Sequence, residues 1–158
     1  GAVRPEKERF LLTELVQDVF QKFELAAEAR RLTLDADFPP GLPTVHADLG
    51  LIERVLTNLL DNAIRHTPEG GRIRVTLGHA DERVTVDIAD TGPGIPPPLR
   101  SSLFDRPSAV TRAGRDSRGG LGLVIVHRIL RLHGSDIRLV DRPGQGAVFQ
   151  FGLPVADH

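Results

Sequence analysis

The stretch from Asp48 to Thr67 most constrains the fold, because it has the pattern of a single amphipathic helix. Asp48 can cap its N-terminus, and Pro68-Glu69-Gly70-Gly71 is typical of a helix end followed by a turn. The apolar residues recur at helical spacing: Ile52, Val55, Leu56, Leu59, Leu60 and Ala63. A polar stripe lies roughly opposite them: Arg54, Asn58, Asn62 and Arg65. Amide oxygens suit Mg²⁺ and guanidiniums suit phosphate, although such a stripe alone is more often a solvated helix face.

Composition limits the classes of partner. With 158 residues the chain is long enough for one domain with a real core. Lys+Arg 20 against Asp+Glu 21 gives a net charge of -1, so we expect neither nucleic acid nor a membrane surface as a direct partner. The absence of cysteine excludes disulfides and thiolate metal sites. No apolar run has the length of a membrane span.

The remaining chain alternates between helical and strand patterns. Helical spacing predicts a structural helix from Phe10 to Arg30. Strand patterns follow it at 32–37, 44–47, 72–78, 83–89, 136–141 and 147–153. Asp81-Glu82 lies between two alternating runs and predicts a hairpin, which favours an antiparallel core.

The loop that starts at Asp90 is the second candidate feature. It reads Asp90-Thr91-Gly92-Pro93-Gly94-Ile95 and comes directly after a strand. Two glycines let a flat ligand approach the backbone, and a buried carboxylate could accept a hydrogen bond from an exocyclic amine such as adenine N6. The alternative is a simple turn with a capping Asp.

A basic segment and a glycine-rich helix start form the third feature. A short helix is expected at 97–104, followed at 105–118 by a mobile basic loop with four arginines. This segment is either an ordinary flexible loop or a lid whose arginines meet phosphate. Gly119-Gly120-Leu121-Gly122-Leu123 then opens a helix that closes at Gly134. Glycines there would expose N–H groups and the positive helix end to phosphate. The spacing is neither that of the Rossmann fingerprint nor that of the Walker motif.

Together these stretches resemble the N, G1, F and G2 boxes of the catalytic, ATP-binding domain of bacterial sensor histidine kinases, within the GHKL superfamily. The closing strand from Gly144 to Pro154 is similar as well, so the resemblance covers residues 10–154. It implies an α/β two-layer sandwich with a mixed, mostly antiparallel sheet covered on one face by three helices. It also implies ATP and Mg²⁺ as ligands.

For the predicted helix from Asp48 to Thr67, the resemblance implies roles for the following polar residues. Asn62 would bind Mg²⁺ through its side-chain oxygen. Asn58 and Arg65 would be the catalytic positions beside the phosphates. His66 stands where related proteins often carry an aromatic residue near the nucleotide.

For the loops, the resemblance implies that Asp90 binds the adenine amino group. Phe104 would anchor the lid, and the backbone N–H groups of Gly120 and Gly122 would meet the phosphates. The full set of loop positions expected at the nucleotide is Asp90, Gly92, Gly94, Ile95, Phe104, Gly119, Gly120, Leu121, Gly122 and Leu123. Two departures stand out, Ser117-Arg118-Gly119 where Gly-Gly-Thr/Ser is usual and Ala147 where a hydroxyl residue is common.

The phosphoacceptor is expected on another domain. None of the six histidines is followed by the Asp/Glu-x-x-Arg pattern of an acceptor helix. We therefore expect residues 1–9 to be the end of a linker from a dimerisation domain, 10–154 to be the catalytic half, and 155–158 to be a tail. The expected partners are that dimerisation domain and a response regulator receiver domain. The isolated domain is expected to be monomeric and cytoplasmic, whether or not the parent is an inner-membrane sensor.

Two other functions fit the sequence less well. ATPases and serine kinases of the same superfamily carry Glu where this chain has Asn58, and an amide cannot act as the general base that water or serine needs. A non-catalytic nucleotide-sensing or protein-binding module is the other alternative, suggested by Ser117-Arg118. Transfer of phosphate to a supplied acceptor domain would distinguish a kinase from such a module.

Overall fold

The computed structural model describes residues 4–91, 117–140 and 146–156, and of 117–121 it describes the backbone only. Within these residues there are three helices and seven strands. The helices are α1 (Leu12–Ala29), α2 (Leu49–His66) and α3 (Ser117–Leu132). The strands are β1 (Glu8–Phe10), β2 (Thr33–Asp37), β3 (Val45–Ala47), β4 (Arg72–Ala80), β5 (Arg83–Asp90), β6 (Arg138–Val140) and β7 (Val148–Pro154).

The main sheet has the strand order β2-β4-β5-β7-β6. Strand β2 pairs parallel with β4, and the other neighbours are antiparallel, which confirms the mixed, mostly antiparallel sheet. The β4–β5 hairpin turns at Asp81 and Glu82, whose φ angles are 52° and 61°. Both central residues of a tight hairpin turn adopt positive φ when its twist matches that of the strands.

The three helices cover one face of this sheet, so the expected two-layer sandwich is confirmed. Alternation along the strands points every second side chain at the helices. The core side chains of β4 and β5 are completely or almost completely buried: Ile73, Val75, Leu77, Val84, Val86 and Ile88. Their neighbours on the opposite face include the exposed Arg72, Arg74 and Arg83.

The start of helix α2 is capped by side-chain hydrogen bonds. The Asp48 carboxylate accepts from Leu51 N at 3.1 Å and from Glu6 N at 2.9 Å. Burial raises the pKa of Asp48, but the hydrogen bonds from the N–H groups of Glu6 and Leu51 outweigh it and hold this pKa below its ordinary value. The N-cap expected at Asp48 is therefore confirmed.

Two helix boundaries were predicted wrongly. The first helix begins at Leu12 and not at Phe10, because Glu8–Phe10 form strand β1, which pairs antiparallel with Val45–Ala47. Helix α3 begins at Ser117, so Ser117 and Arg118 belong to the helix and not to the basic segment before it. The domain boundaries at residues 10 and 154 stay a prediction, although β1 starts before residue 10 and Val155 bridges to Val45.

Candidate functional site

Asn58, one of the polar residues of α2, lies against α3. A Cβ at Gly122 would lie 3.7 Å from both Cβ and Cγ of Asn58, so the two helices approach each other closely at this point. Asn62 is only 2% exposed, whereas Arg54 at the other end of the stripe is exposed. The prediction of a stripe opposite the buried face is wrong for Asn62. Around the helix this residue lies next to the buried Val55, at the edge of the buried face.

Asn58 carries an unusual buried donor. Its Nδ2 atom is buried and has no hydrogen-bond partner in the part of the chain that the structure describes. Leaving a buried donor unpaired costs about 1–3 kcal/mol. Such a group persists at a cost to stability, and a ligand oxygen would remove that cost.

Arg65 is already oriented by a neighbour on its own helix. Its Nε donates to Asp61 Oδ2 at 2.9 Å, and the side chain is 25% exposed. Sequence reasoning missed Asp61, although an acidic residue four positions before a basic one is the signal for such a pair. The arginine is therefore half-buried beside Asn58 and Asn62 and is not fully solvated.

The end of α2 is fixed to the start of β4. Buried Thr67 donates from its hydroxyl to Ala63 O at 2.6 Å, and its own carbonyl accepts from Arg30 Nη2 at 2.9 Å. A Cβ on Gly71 would come within 2.5 Å of Thr67 Cγ2 and 2.6 Å of Thr91 Oγ1, so only glycine fits there. His66 is half-buried at this end of the helix.

Asp90 is held at the end of β5 by the strand beside it. The residue is 5% exposed, its N–H donates to Ala147 O at 3.0 Å, and its Oδ1 accepts from Ala147 N at 3.3 Å. Its carbonyl accepts from Gly146 N at 2.8 Å. Sequence reasoning singled out Ala147 for a missing hydroxyl, whereas the structure shows that its backbone positions the Asp90 carboxylate.

The other positions predicted to lie at the nucleotide are only partly described by the structure. Gly119 lies in the first turn of α3, where N–H groups have no partner within the helix, whereas Gly122 lies deeper and provides the close approach to Asn58. Phosphate binding by Gly120 and Gly122 stays a prediction. Leu123 is completely buried, and its place at the nucleotide stays a prediction. Leu121 is described only by its backbone, and four positions lie outside the described residues: Gly92, Gly94, Ile95 and Phe104.

Two further observations come from the described residues. They contain no group of three or more His, Cys, Asp or Glu side chains that could hold a metal ion by themselves. They also include no helix long and apolar enough to span a membrane. The helix and loop expected at 97–116 fall outside the described part of the chain.

Comparison with known proteins decides the family. A model of the family described as "Histidine kinase-, DNA gyrase B-, and HSP90-like ATPase" matches residues 47–157. The chain belongs to this family. The adaptive-response sensory kinase SasA of Rippkaea orientalis is 40% identical over 145 residues, which cover 91% of this chain and 37% of that protein. The sensor histidine kinase TmoS of Ectopseudomonas mendocina is 37% identical, with 91% of this chain and 15% of that protein covered.

Solved structures of histidine kinase catalytic domains share the fold. The nucleotide-free catalytic domain of the histidine kinase ThkA superposes with a TM-score of 0.84 at 32% identity and covers 95% of this chain and 96% of its own. Full-length ShkA in complex with AMPPNP superposes with a TM-score of 0.86 at 29% identity, over 100% of this chain and 33% of that one. The chain thus corresponds to the ATPase domain of histidine kinases and spans well under half the length of its curated relatives.

Proposed function

We propose that this domain binds Mg-ATP beside α2 and transfers the γ-phosphate to a histidine on a separate dimerisation domain, for relay to a response regulator. The observation that supports it most directly is the buried, unpartnered Nδ2 of Asn58. A phosphate oxygen is a strong acceptor for such a donor, and a charge-assisted hydrogen bond is stronger than a neutral one. ShkA, which shares the fold, was solved with the ATP analogue AMPPNP.

Adenine would bind at the end of β5. The Asp90 carboxylate is nearly buried and oriented by the backbone of Ala147, so it can accept a hydrogen bond from an amino group with little loss of side-chain entropy. Guanine presents a carbonyl oxygen at the corresponding place and would face the carboxylate with a second acceptor. Adenine selectivity follows from this difference.

Mg²⁺ would be held jointly by the protein and the phosphates. Asn62 offers one neutral amide oxygen from a buried, rigid position, and the described residues supply no cluster of carboxylates or imidazoles. Mg²⁺ keeps several waters and typically binds through one or two protein ligands together with substrate phosphates. When bound, the ion neutralises phosphate charge and orients the γ-phosphate.

The residues at the phosphates favour histidine over water as the acceptor. Asn58 has no basic group, so it cannot remove a proton from water or from a serine hydroxyl. A neutral imidazole nitrogen already has a lone pair: its bond to the γ-phosphorus forms as the bond to the β,γ-bridging oxygen breaks, and ADP leaves. Positioning and charge neutralisation then carry the transfer, and Arg65, oriented by Asp61, is placed to contribute.

The partners follow from the same chemistry. Of the histidines in the described residues, His133 is buried and bonded at both ring nitrogens, and none is followed by the Asp/Glu-x-x-Arg pattern expected of an acceptor helix. The acceptor therefore belongs to a dimerisation domain, and the receiver domain of a response regulator takes the phosphoryl group next. ThkA was solved in complex with its response regulator TrrA, at a TM-score of 0.81 to this chain.

The test is phosphoryl transfer in trans. The domain is mixed with the dimerisation domain of its parent kinase and γ-labelled ATP, with and without Mg²⁺, and acid-labile label on the acceptor is measured. We expect transfer that needs Mg²⁺ and is lost in Asn58→Leu. Tight Mg-ATP binding without transfer would instead favour a nucleotide-sensing module, and rapid release of free phosphate would favour an ATPase.

A further inference from the structure

The face of the sheet that carries no helix contains a cleft of about 400 Å³. Gly152 on β7 and its cross-strand partner Thr85 on β5 lie along its base. The segment 134–136 after α3 closes one side, fixed by a hydrogen bond from Ser135 Oγ to Gly152 O at 2.6 Å. Because Gly152 has no side chain, the sheet is locally depressed there.

Two arginines border the cleft from opposite strands. Arg83 on β5 lies across Gly152, since a Cβ at Gly152 would be 3.6 Å from Arg83 Cδ. Arg138 lies on β6, where its register partner is Gln150 of β7. Strand β7 separates the two strands, which places β5 and β6 roughly 10 Å apart. Two long guanidinium side chains can converge on one small anion across that distance.

The charges around the cleft are unbalanced. Among the described residues neither Arg83 nor Arg138 has an ion pair, whereas Arg72 and Arg74 on the same face pair with Asp35 at 3.2 Å and Asp37 at 3.6 Å. The lining includes one carboxylate, Asp136, and Arg131 holds it at 3.2 Å. Gln150 is also engaged, donating to Asp87 at 2.9 Å. The two cleft arginines therefore have no carboxylate partner among the described residues.

We propose that this cleft is a second binding site, separate from the nucleotide site, for a small phosphate-bearing molecule. Planar guanidiniums match phosphate oxygens bidentately, and a volume of about 400 Å³ lies in the range of small-molecule pockets, about 300–1,000 Å³. A concave site lined by two arginines favours a small ligand over a flat protein surface.

The site cannot be an extension of the nucleotide site. Arg83 begins β5 and Asp90 ends it, so the two are about 23 Å apart along an extended strand. Asn58 and Asn62 lie on α2, which covers the opposite face of the sheet. The inference therefore does not depend on the proposed kinase activity. Binding here would give the domain a way to sense a phosphorylated metabolite.

The test is an NMR titration of the ¹⁵N-labelled domain with inorganic pyrophosphate at constant ionic strength and without added metal. We expect saturable shifts of the Nε–H signals of Arg83 and Arg138 and of the amides of Gly134 and Gly152. Shifts of the Asn58 and Asn62 amides report binding at the nucleotide site separately, so the two proposals succeed or fail independently.

The controls use arginines on the same face. Arg83→Gln and Arg138→Gln should each weaken binding at least tenfold, while Arg74→Gln, whose arginine already has a carboxylate partner, should leave it unchanged. Linear, non-saturating shifts spread over Arg72 and Arg74 as well would show only general anion attraction and overturn the proposal. Equal saturation by acetate would overturn the assignment to phosphate.

Discussion

Two places along the α2–α3 pair differ in how completely their polar groups are bonded. At the start of α2, Asp48 N–H donates to His133 Nε2 at 3.0 Å, and His133 Nδ1 donates to Ile129 O at 2.9 Å. Near the middle of α2, Asn58 Nδ2 is buried against Gly122 and has no hydrogen-bond partner among the described residues. The first place is complete within the protein, whereas the second lacks an acceptor. From this difference we expect the first place to serve stability and the second to serve a ligand.

The largest effect is expected from Asn62→Ala. The substitution removes the amide oxygen proposed for Mg²⁺, so the increase in ATP affinity on adding Mg²⁺ should disappear. Calorimetric titration with and without Mg²⁺ measures it. Arg54→Ala is the matched control, because that residue is exposed on the same helix. An unchanged Mg²⁺ effect in a folded Asn62 variant would remove this residue from the metal site.

Breaking the contacts of His133 at the start of α2 should cost stability and leave nucleotide binding intact. His133→Ala removes a 5% exposed ring and leaves Asp48 N–H and Ile129 O unpaired, so the free energy of unfolding should fall by about 2–4 kcal/mol. Urea denaturation measures this loss, with exposed His46→Ala as the control. A comparable loss of stability in the control would contradict the structural role of His133 at the start of α2. A changed nucleotide affinity in a His133 variant that remains folded would contradict the separation of this role from ligand binding at Asn58.

Substitution of Asn58 should show the reverse behaviour, with stability kept and nucleotide binding weakened. Asn58→Leu replaces an unpaired buried donor by an apolar group of similar shape, so stability without nucleotide should stay the same or rise by about 1 kcal/mol. ATP affinity should fall on the order of tenfold or more, because a hydrogen bond to a charged phosphate is lost. If the variant is clearly less stable and binds ATP normally, Asn58 is a structural residue.

The smallest effect concerns acid stability at Asp48. Its pKa in the folded state is lowered, so its contribution to stability is fully present above the ordinary value of 3.8 and is lost as pH falls through the folded pKa. Asp48→Asn keeps a good capping residue and loses the titration. The free energy of unfolding measured below about pH 4 should therefore fall less steeply in the variant than in the wild type. Identical slopes would rule out this contribution.

Much of the fold could be predicted because it depends on periodicity. The alternation of apolar and polar residues in 72–89 predicted the hairpin. The helical spacing of apolar residues from Ile52 to Ala63 predicted α2, with its cap at Asp48. The start of α1 was missed because pairing of Glu8–Phe10 with β3 is a tertiary contact that overrides the helical pattern. The start of α3 at Ser117 was missed because its glycines weaken the helical signal before Leu123.

The site was predictable in its residue types but not in its contacts. Spacing and resemblance indicated Asn58, Asn62 and Asp90, and the structure adds what holds them. The approach of Gly122 to Asn58 joins positions 64 residues apart, and the bond from Ala147 to Asp90 joins positions 57 apart. No local pattern specifies such pairings, whereas the missed Asp61–Arg65 pair could have been read from its spacing of four.

The most direct test of the nucleotide site is a calorimetric titration of the unmodified domain with a non-hydrolysable ATP analogue, with and without Mg²⁺. We expect saturable binding at one site per chain that tightens when Mg²⁺ is present, and weaker binding of the corresponding GTP analogue. Absence of binding under both conditions, or affinity that ignores both Mg²⁺ and the base, would contradict the assignment of Asn58, Asn62 and Asp90 to Mg-ATP.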